Sequence, residues 1–516
     1  EKSYANLIAS VDKARSTTLA KVVYGLGIAG IGLANAKLIC RHFKNDVEIL
    51  EFLEQIREKG IEIWAEDGKL RYRTGGDLLT AEILGILKNS REQILDFLER
   101  IAGNAVLLTP IQTAYIVGQK AGCELGNINA HYYIEYKTGK LDIGWLEQAI
   151  NLVIEKNDAL RMIVTHDGKA SFLNYVPAYA VSVDTSSNRQ TGRQKRMQRS
   201  HYIYDYHRWP MFHFGVLETT EGECLLYVDF DCIILDAWSA KLMLEEIFEL
   251  YCGKMVVFPK ISFMEYMRLK TDGMNRQAEE YWIEKVKKIR EFPKLNFKKD
   301  LQKVRNMKFE RTEYAFSEKE TRQLYEKAKN CRFTPAAVIA TIFMKTLAEY
   351  YEVPALAVNV TLFNRQPLHE DINRVLGEFT NTAVLSYQRQ TGSALDDVRE
   401  TQKQMWELVR YREFDGTNIL KMLSAGNPGK AVMPIVFTCM LDGESSFKEK
   451  RKDPFEENFA ISQTPQVILD HHVRDDLGYL KVSWDYIAEI FDKRNVTEVF
   501  QAYVGNIKKF ISDNIV

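Results

Sequence analysis

Ile461-Ser-Gln-Thr-Pro-Gln-Val-Ile-Leu-Asp470, ISQTPQVILD, is the stretch around which the 516-residue chain is read. The turn pair Thr464-Pro465 precedes an apolar run, Val467-Ile468-Leu469, that ends in a carboxylate, Asp470. Proline sets a turn and does not sit inside a central strand. A strand is therefore predicted to begin after Pro465 and to carry Asp470 to its end. Upstream, Pro434–Leu441 (PIVFTCML) is a second β-branched and aromatic run, and it carries Thr438. Side by side, two such strands would bring Thr438 within hydrogen-bond reach of Asp470. That pairs a carboxylate able to move protons with a hydroxyl able to hold it in place.

Working outward, 46% of the chain is hydrophobic and 27% charged, enough for two or more domains with sizeable cores. A net charge of −1 gives no global field favouring nucleic acid or an anionic membrane. The seven cysteines are scattered without a Cys-x-x-Cys pair, which reads as free thiols in a reducing cytoplasm. The chain begins with Glu rather than Met, as expected of a fragment.

Residues 1–46 contain an apolar, Gly-rich run, Val22–Ala36, too short for a transmembrane helix. Within it, Gly25-Leu-Gly27-Ile-Ala-Gly30 formally matches a dinucleotide fingerprint, but what precedes it looks helical and no second βαβ unit follows. The segment is similar to the helix-hairpin-helix region of NAD-dependent DNA ligases. There Gly27, Gly30 and Gly32 would offer backbone N–H groups to a phosphate. Nothing later resembles a ligase. A single hairpin cut from its repeats is expected to bind nothing appreciable, and the segment is read as a fusion or an artefact.

Residues 47–100 form a second unit. Val47–Lys59 has a helical apolar face closed by Gly60. Ile61–Ala65 and Lys69–Arg73 alternate around Asp67-Gly68, a hairpin signal, and helical stretches follow at 78–87 and 90–101. This order resembles the small N-terminal docking domains of hybrid polyketide–peptide synthetases. The resemblance implies that a hairpin edge bearing Lys69, Arg71 and Arg73 takes the acidic C-terminal tail of an upstream synthetase by strand addition.

Residues 101–516 read as mixed α/β. Leu225–Phe230 is strand-like, and Asp236–Tyr251 is an amphipathic helix. Ser317 with Glu320 is a capping box, Thr334-Pro335 opens a further helix, and Ala355–Thr361 is a buried-type strand.

ISQTPQVILD and PIVFTCML closely resemble the last two core motifs of heterocyclisation domains of non-ribosomal peptide synthetases. Leu108-Thr109-x-x-Gln112-x-Ala114-Tyr115-x-x-Gly118 resembles the first motif, and Asp231-x-x-x-x-Asp236-x-x-Ser239 the family signature. Asn364-Arg365 and Gly377-Glu378-Phe379-Thr380 resemble further motifs. Departures occur at Val106-Leu107, Gln119, Asn157 and Phe292-Pro293-Lys294-Leu295. The resemblance implies two chloramphenicol-acetyltransferase-like lobes in a V, 101–280 and 281–516, with the active site in a tunnel between them.

Ordinary condensation domains carry His-His-x-x-x-Asp-Gly. Here Asp231 and Cys232 stand at the two His positions and Ala237 at the Gly. A thiol of ordinary pKa is a poor substitute for imidazole near neutrality. Asp236 is read as a helix-capping carboxylate, which the resemblance implies also pairs with an Arg, Arg161 being the candidate, and Asp231 as equally fit for a structural or a catalytic role. By the resemblance, a carrier-bound Cys, Ser or Thr amine attacks an acyl thioester. Its side chain then attacks the new amide, and loss of water leaves a thiazoline or oxazoline. Asp470, with a pKa raised by an apolar setting, would move the protons, with Thr438 orienting it. Gln112 and Tyr115 are assigned to lining the tunnel or fixing the first strand-turn, and Gln463 to the tunnel. His471-His472 is not read as a metal site, because neighbours on a strand face opposite ways. No cofactor is expected on the chain itself: substrates would arrive on the phosphopantetheine of upstream and downstream carriers, with no membrane or nucleic-acid partner. The alternative is an idle, condensation-like scaffold that only recruits carriers.

Overall fold

The computed structural model describes the chain except residues 1–41, 67, 76–77, 120–123, 187–188, 220–223, 271–274, 290–296, 300, 306, 390–392, 425–430, 442–453, 477 and 514–516. The helix-hairpin-helix resemblance and Phe292-Pro293 thus fall outside the described residues. Two compact units emerge: residues up to Ala105 with 163–178, and 106–162 with 179–516.

In the first unit, α1 (Asp46–Glu58) is capped by Asn45 and ends before Gly60, whose φ of 82° a side chain would strain. The hairpin β1 (Ile61–Glu66) and β2 (Lys69–Thr74) pairs Glu66 with Lys69, leaving a two-residue connection in which Gly68 has a φ of 66°. α2 (Ala81–Asn89) and α3 (Arg91–Gly103) follow. Ile49, Phe52, Ile56, Ile61, Ile83, Ile94 and Phe97 make the core. Arg71 pairs with Glu66 at 3.1 Å, and Arg73 Nε donates to Glu62 at 3.0 Å, so hairpin carboxylates partly neutralise the basic edge.

The second unit begins with α4 (Pro110–Gly118), then β3 (His131–Thr138), α5 (Ile143–Lys156), β4 (Ser182–Ser186), α6 (Arg189–Arg199), β5 (Phe212–Thr219), β6 (Cys224–Asp231) and α7 (Ala237–Tyr251). After these come β7 (Phe309–Ala315), α8 (Glu318–Asn330), α9 (Pro335–Tyr350), β8 (Ala355–Phe363), β9 (Thr380–Gln388) and α10 (Ala394–Arg410). The unit closes with β10 (Ile435–Met440), β11 (Glu456–Gln463), β12 (Leu469–Asp476), β13 (Tyr479–Ile487) and α11 (Lys493–Ser512). The capping signals act as read: Ser317 and Glu320 cap each other's turn, and Thr334 caps α9 with Pro335 in its first turn.

The strands form two sheets, ordered β11-β3-β6-β5-β4 and β7-β13-β12-β10-β8-β9. In the second sheet β10 runs parallel to both β8 and β12. Because side chains alternate along a strand, each strand of this sheet has two unlike faces. On one, Phe437, His471, Val473 and Trp484 pack with Phe343 of α9 and Tyr503 of α11 in the apolar core. On the other, Thr438, Asp470, His472 and Asp485 make a polar wall.

ISQTPQVILD turns out to be a crossover between the sheets. Ile461–Gln463 end β11 in the first sheet, and Leu469 opens β12 in the second. Asp470 is therefore the second residue of a strand that continues to Asp476, not a strand's last residue. The apolar alternation carries on through Val473, which is why the strand does not stop at the carboxylate. Gln466, at a φ of 64°, turns the chain and donates its N–H to Leu125 O at 3.2 Å. β11, from the second half of the chain, is also the edge strand of the first half's sheet, so the proposed boundary at 280/281 is crossed by a strand. Among the described residues, no single helix is long and apolar enough to cross a membrane.

Gly377 lies against Phe263, and a Cβ there would sit 2.3 Å from Phe263 Cδ2. Gly377→Ala is expected to destabilise this unit by about 1–3 kcal/mol, as overpacking of a filled core does, read as a lowered denaturant midpoint.

Candidate active site

The polar face of the second sheet walls two adjoining cavities. One, of about 670 Å³, is lined by Tyr115, Thr361, Glu378, Thr438 and Asp470. The other, of about 520 Å³, is lined by Tyr132, Phe230, Arg311, Met440 and Arg474. Cys232, Leu235, Ala237, Ser462 and His472 belong to both, so the cavities meet at that seam.

Asp470 is buried in this wall. Its Oδ2 lies 3.2 Å from His472 Nε2 and 3.5 Å from Ser462 Oγ, while Oδ1 has no partner among the described residues. The His472 contact is out of line for a hydrogen bond, so charge rather than direction holds it. Asp470 and Thr438 do lie on neighbouring strands, but the register sets Asp470 beside Val436 and Thr438 beside His472. The expected Thr438–Asp470 hydrogen bond is not among those found. The Thr438 hydroxyl instead meets Thr361 Oγ1 at 2.9 Å, since that β-branched neighbour on β8 faces the same way.

The acidic signature divides. Asp236 is the N-cap of α7 and accepts from Ser239 N at 2.6 Å and Phe379 N at 3.3 Å. Ser239 Oγ donates to Gly377 O at 2.8 Å. The cation beside Asp236 is Arg365, at 3.5 Å, not Arg161 as the sequence reading had it. Arg161 donates to the carbonyls of Ile154 and Glu155 at the end of α5, a use open to any cation one turn past a helix. Asp231 lines neither cavity. It lies on the sheet face opposite Phe230, where Asn129 Nδ2 donates at 2.5 Å and Ile233 N at 2.9 Å. Burial pushes its carboxyl up to about 6. Asp229, on the same face, is held by Arg199, Tyr204 and His131.

Of the residues assigned to the tunnel, Tyr115 alone lines it. Gln112 is spent on the fold: it completes the capping box of α4 with Thr109 and donates to Ile233 O at 2.7 Å. Gln463 is buried but is not in the wall of either cavity.

Residues 103–514 match the condensation-domain family, and residues 49–100 match the TubC N-terminal docking domain. The chain belongs to the condensation-domain family. Pyochelin synthetase PchF of Pseudomonas aeruginosa is 26% identical over 89% of this chain and 27% of its own length. Phenyloxazoline synthase MbtB of Mycolicibacterium paratuberculosis is 25% identical over 78% of this chain and 36% of its own. The chain thus spans about a third or less of these relatives. In fold, the EpoB cyclization-docking bidomain from Sorangium cellulosum superimposes with a TM-score of 0.73 at 23% identity, covering 90% of this chain and 98% of that one.

Within this condensation domain, two groups at the site escaped the sequence reading. His472 was weighed only as a metal ligand. His471 does face away from it, into the core, where it meets Tyr503 Oη at 2.7 Å and burial holds its pKa well below the usual range. His472 faces the seam. Burial works against its charged form, yet Asp470 and Asp485 outweigh burial and push it up to about 9. Asp485 accepts both Arg311 Nε at 2.7 Å and Arg311 Nη2 at 2.6 Å, so the wall carries the alternating row Asp470, His472, Asp485, Arg311. A motif ending in two His offered the signal, through the period of two that puts His472 on the face of Asp470. The second missed group is Glu378, seen only as part of a four-residue motif. Cys232, at the second position of the condensation-domain histidines, has a thiol that burial and nearby carboxyls push well above its usual range.

Arg365→Met leaves Asp236 buried without its cation and is expected to cost about 3–5 kcal/mol, against about 1 kcal/mol or less for Arg161→Met, in denaturant unfolding. For His472, the folded pKa of about 9 lies above the ordinary 6.5, so the stabilisation is fully present below 6.5 and is lost as pH rises through 9. The loss is expected to be about 3 kcal/mol. Unfolding titrations between those pH values should show it in the parent chain and not in His472→Gln.

Proposed function

We propose that this domain is a heterocyclisation enzyme of a non-ribosomal peptide synthetase. It joins an upstream acyl thioester to the amine of a carrier-bound Cys, Ser or Thr, then closes the side chain onto the new amide and expels water. The observation that carries this reading is Asp470: a buried carboxylate with one oxygen unpartnered among the described residues, in a cavity wall of a condensation domain whose histidine positions hold Asp231 and Cys232. Asp231 faces away, and the Cys232 thiol stays protonated near neutrality, so neither supplies the missing base.

The two stages differ in what they ask of the protein. Amide formation from a thioester and an amine needs the reactants held together, and orientation alone supplies much of the acceleration. Ring closure needs protons moved on and off a poor electrophile. Asp470 can take the proton of the attacking thiol or hydroxyl. The His472 imidazolium lies 3.2 Å from its Oδ2. Thr438 and Thr361 present hydroxyls to the same cavity and suit orienting the tetrahedral intermediate.

The substrates are read as acyl and aminoacyl groups on the phosphopantetheine arms of upstream and downstream carriers, reaching the seam from the two cavities. The first unit is read as the docking site for the tail of an upstream synthetase, with Lys69, Arg71 and Arg73 along its edge strand. The relatives named for pyochelin and for a phenyloxazoline favour this reaction class, and the expected cytoplasmic location belongs to the same reading.

With acyl-loaded and cysteine-loaded carriers as substrates, Asp470→Asn is expected to accumulate the linear amide while ring closure falls by about 10²-fold or more. Intact mass of the carrier-bound product distinguishes the two, since the ring is lighter by one water. Equal loss of both steps in a folded variant would remove Asp470 from this role.

A further inference from the structure

Resting on the ring-closing reading above, we propose that Glu378 is the second proton-transfer group of that step, a carboxylic acid working opposite the Asp470 carboxylate. Glu378 lies in the loop between Gly377 and β9 and lines the same 670 Å³ cavity as Asp470. It is 1% exposed. One carboxyl oxygen, Oε1, accepts Thr380 N at 2.6 Å. The other, Oε2, is buried with no partner among the described residues, as is Asp470 Oδ1. Of the three carboxyl groups in the cavity wall, Asp236 has both oxygens engaged, while Glu378 and Asp470 are each tied down by one oxygen, with the other lacking a partner among the described residues. Tyr115 and Cys232, which also line the cavity, lie within electrostatic range of both.

The two stand in unlike surroundings. Glu378 is desolvated and sits beside the Asp236 carboxylate, and these outweigh the Thr380 N–H and Arg365, which favour its charged form. Its pKa is held well above the usual carboxylate range. Asp470 has the His472 cation 3.2 Å away. The charged and titratable groups around Glu378 are Asp236 at the α7 terminus, Arg365, and Tyr115, Cys232 and Asp470 in the same cavity wall. Paired carboxyls in unlike settings are how one site holds an acid and a base at the same pH.

The proton balance closes without a further reagent. As the side-chain sulfur or oxygen bonds to the amide carbon, its proton passes to Asp470, and the carbonyl oxygen takes a proton from Glu378. A hemiaminal results, with Asp470 protonated and Glu378 ionised. In the second half the C–O bond breaks, the hydroxyl leaves as water with the proton from Asp470, and the N–H proton returns to Glu378 as C=N forms. Both residues end as they began. The two protons lost by the nucleophile and the amide nitrogen leave with the amide oxygen as water. Amide formation, the earlier stage, does not call on Glu378.

The test supplies preformed linear amides, benzoyl-cysteinyl and benzoyl-threonyl thioesters of N-acetylcysteamine, alongside the two-carrier assay that starts before the amide. Glu378→Gln keeps the shape and the Thr380 hydrogen bond but cannot give up a proton. Its ring closure is expected to fall by about 10²-fold or more while amide formation in the carrier assay stays within about threefold of the parent. Glu378→Asp, which keeps the acid one methylene short, is expected to recover part of the loss. Parent-like ring closure by Glu378→Gln would overturn the proposal. So would equal loss of both stages, or a Glu378→Asp variant no better than Glu378→Gln, since either outcome assigns the residue to packing. If the parent chain forms amide but never a product one water lighter, in either assay, the ring-closing reading itself fails, a result distinct from any of these.

Discussion

Asp236 is a carboxylate sealed from water, and the organisation of the site follows from the need to satisfy it. An unpaired buried charge costs several kcal/mol, and a buried pair is tolerated only when hydrogen bonds complete its shell. Here the shell comes from distant parts of the chain. Ser239 N comes from its own helix, Phe379 N from the loop before β9, and the guanidinium from Arg365 at the end of β8. Ser239 Oγ adds a bond to the Gly377 carbonyl and receives one from Arg365. One desolvated anion thus fastens the start of α7 to the loop that carries Glu378. Burial, and next to it the same negative charge, hold the Glu378 pKa well above the usual carboxylate range. Positioning and tuning are one interaction.

Much of this was legible locally. Capping boxes, the Asp-Gly hairpin and the apolar strands are decided within a few residues, and they form where the spacing puts them. The motifs also converge as motifs: Asp236, Ser239, Arg365 and Gly377, separated widely in sequence, meet in one contact network. What spacing could not supply was partnership across the fold. Arg161 and Arg365 are equal in chemistry, and only the path of β8 decides which one reaches Asp236. Thr438 and Asp470 do share a wall, but a two-residue offset between parallel strands hands Thr438 to Thr361. ISQTPQVILD looked like a turn and one strand because the pattern on either side of Pro465 is the same. That the two halves belong to different sheets is a long-range fact. Glu378 and His472 were missed for a related reason: a side chain inside a motif gives no sign of which of its atoms is left without a partner.

The polar wall explains how such a site can dispense with imidazole as its base while keeping one in it. Along β12, β13 and β7 the charges alternate: Asp470, His472, Asp485, Arg311. Burial works against the charged form of Asp485, yet Arg311 and His472 hold its pKa below the ordinary value. Asp470 and, with it, this firmly held Asp485 fix a cation at His472 against the cost of burial. The histidine, held in its charged form, cannot itself act as a base near neutrality. Arg311 lies in the wall of the smaller cavity and Asp470 in that of the larger, so the row runs across the seam. Replacing either inner member, His472 or Asp485, by a neutral group would leave its two neighbours in the row as like charges. The row therefore acts as one electrostatic unit, and effects of substitutions within it should be far from additive.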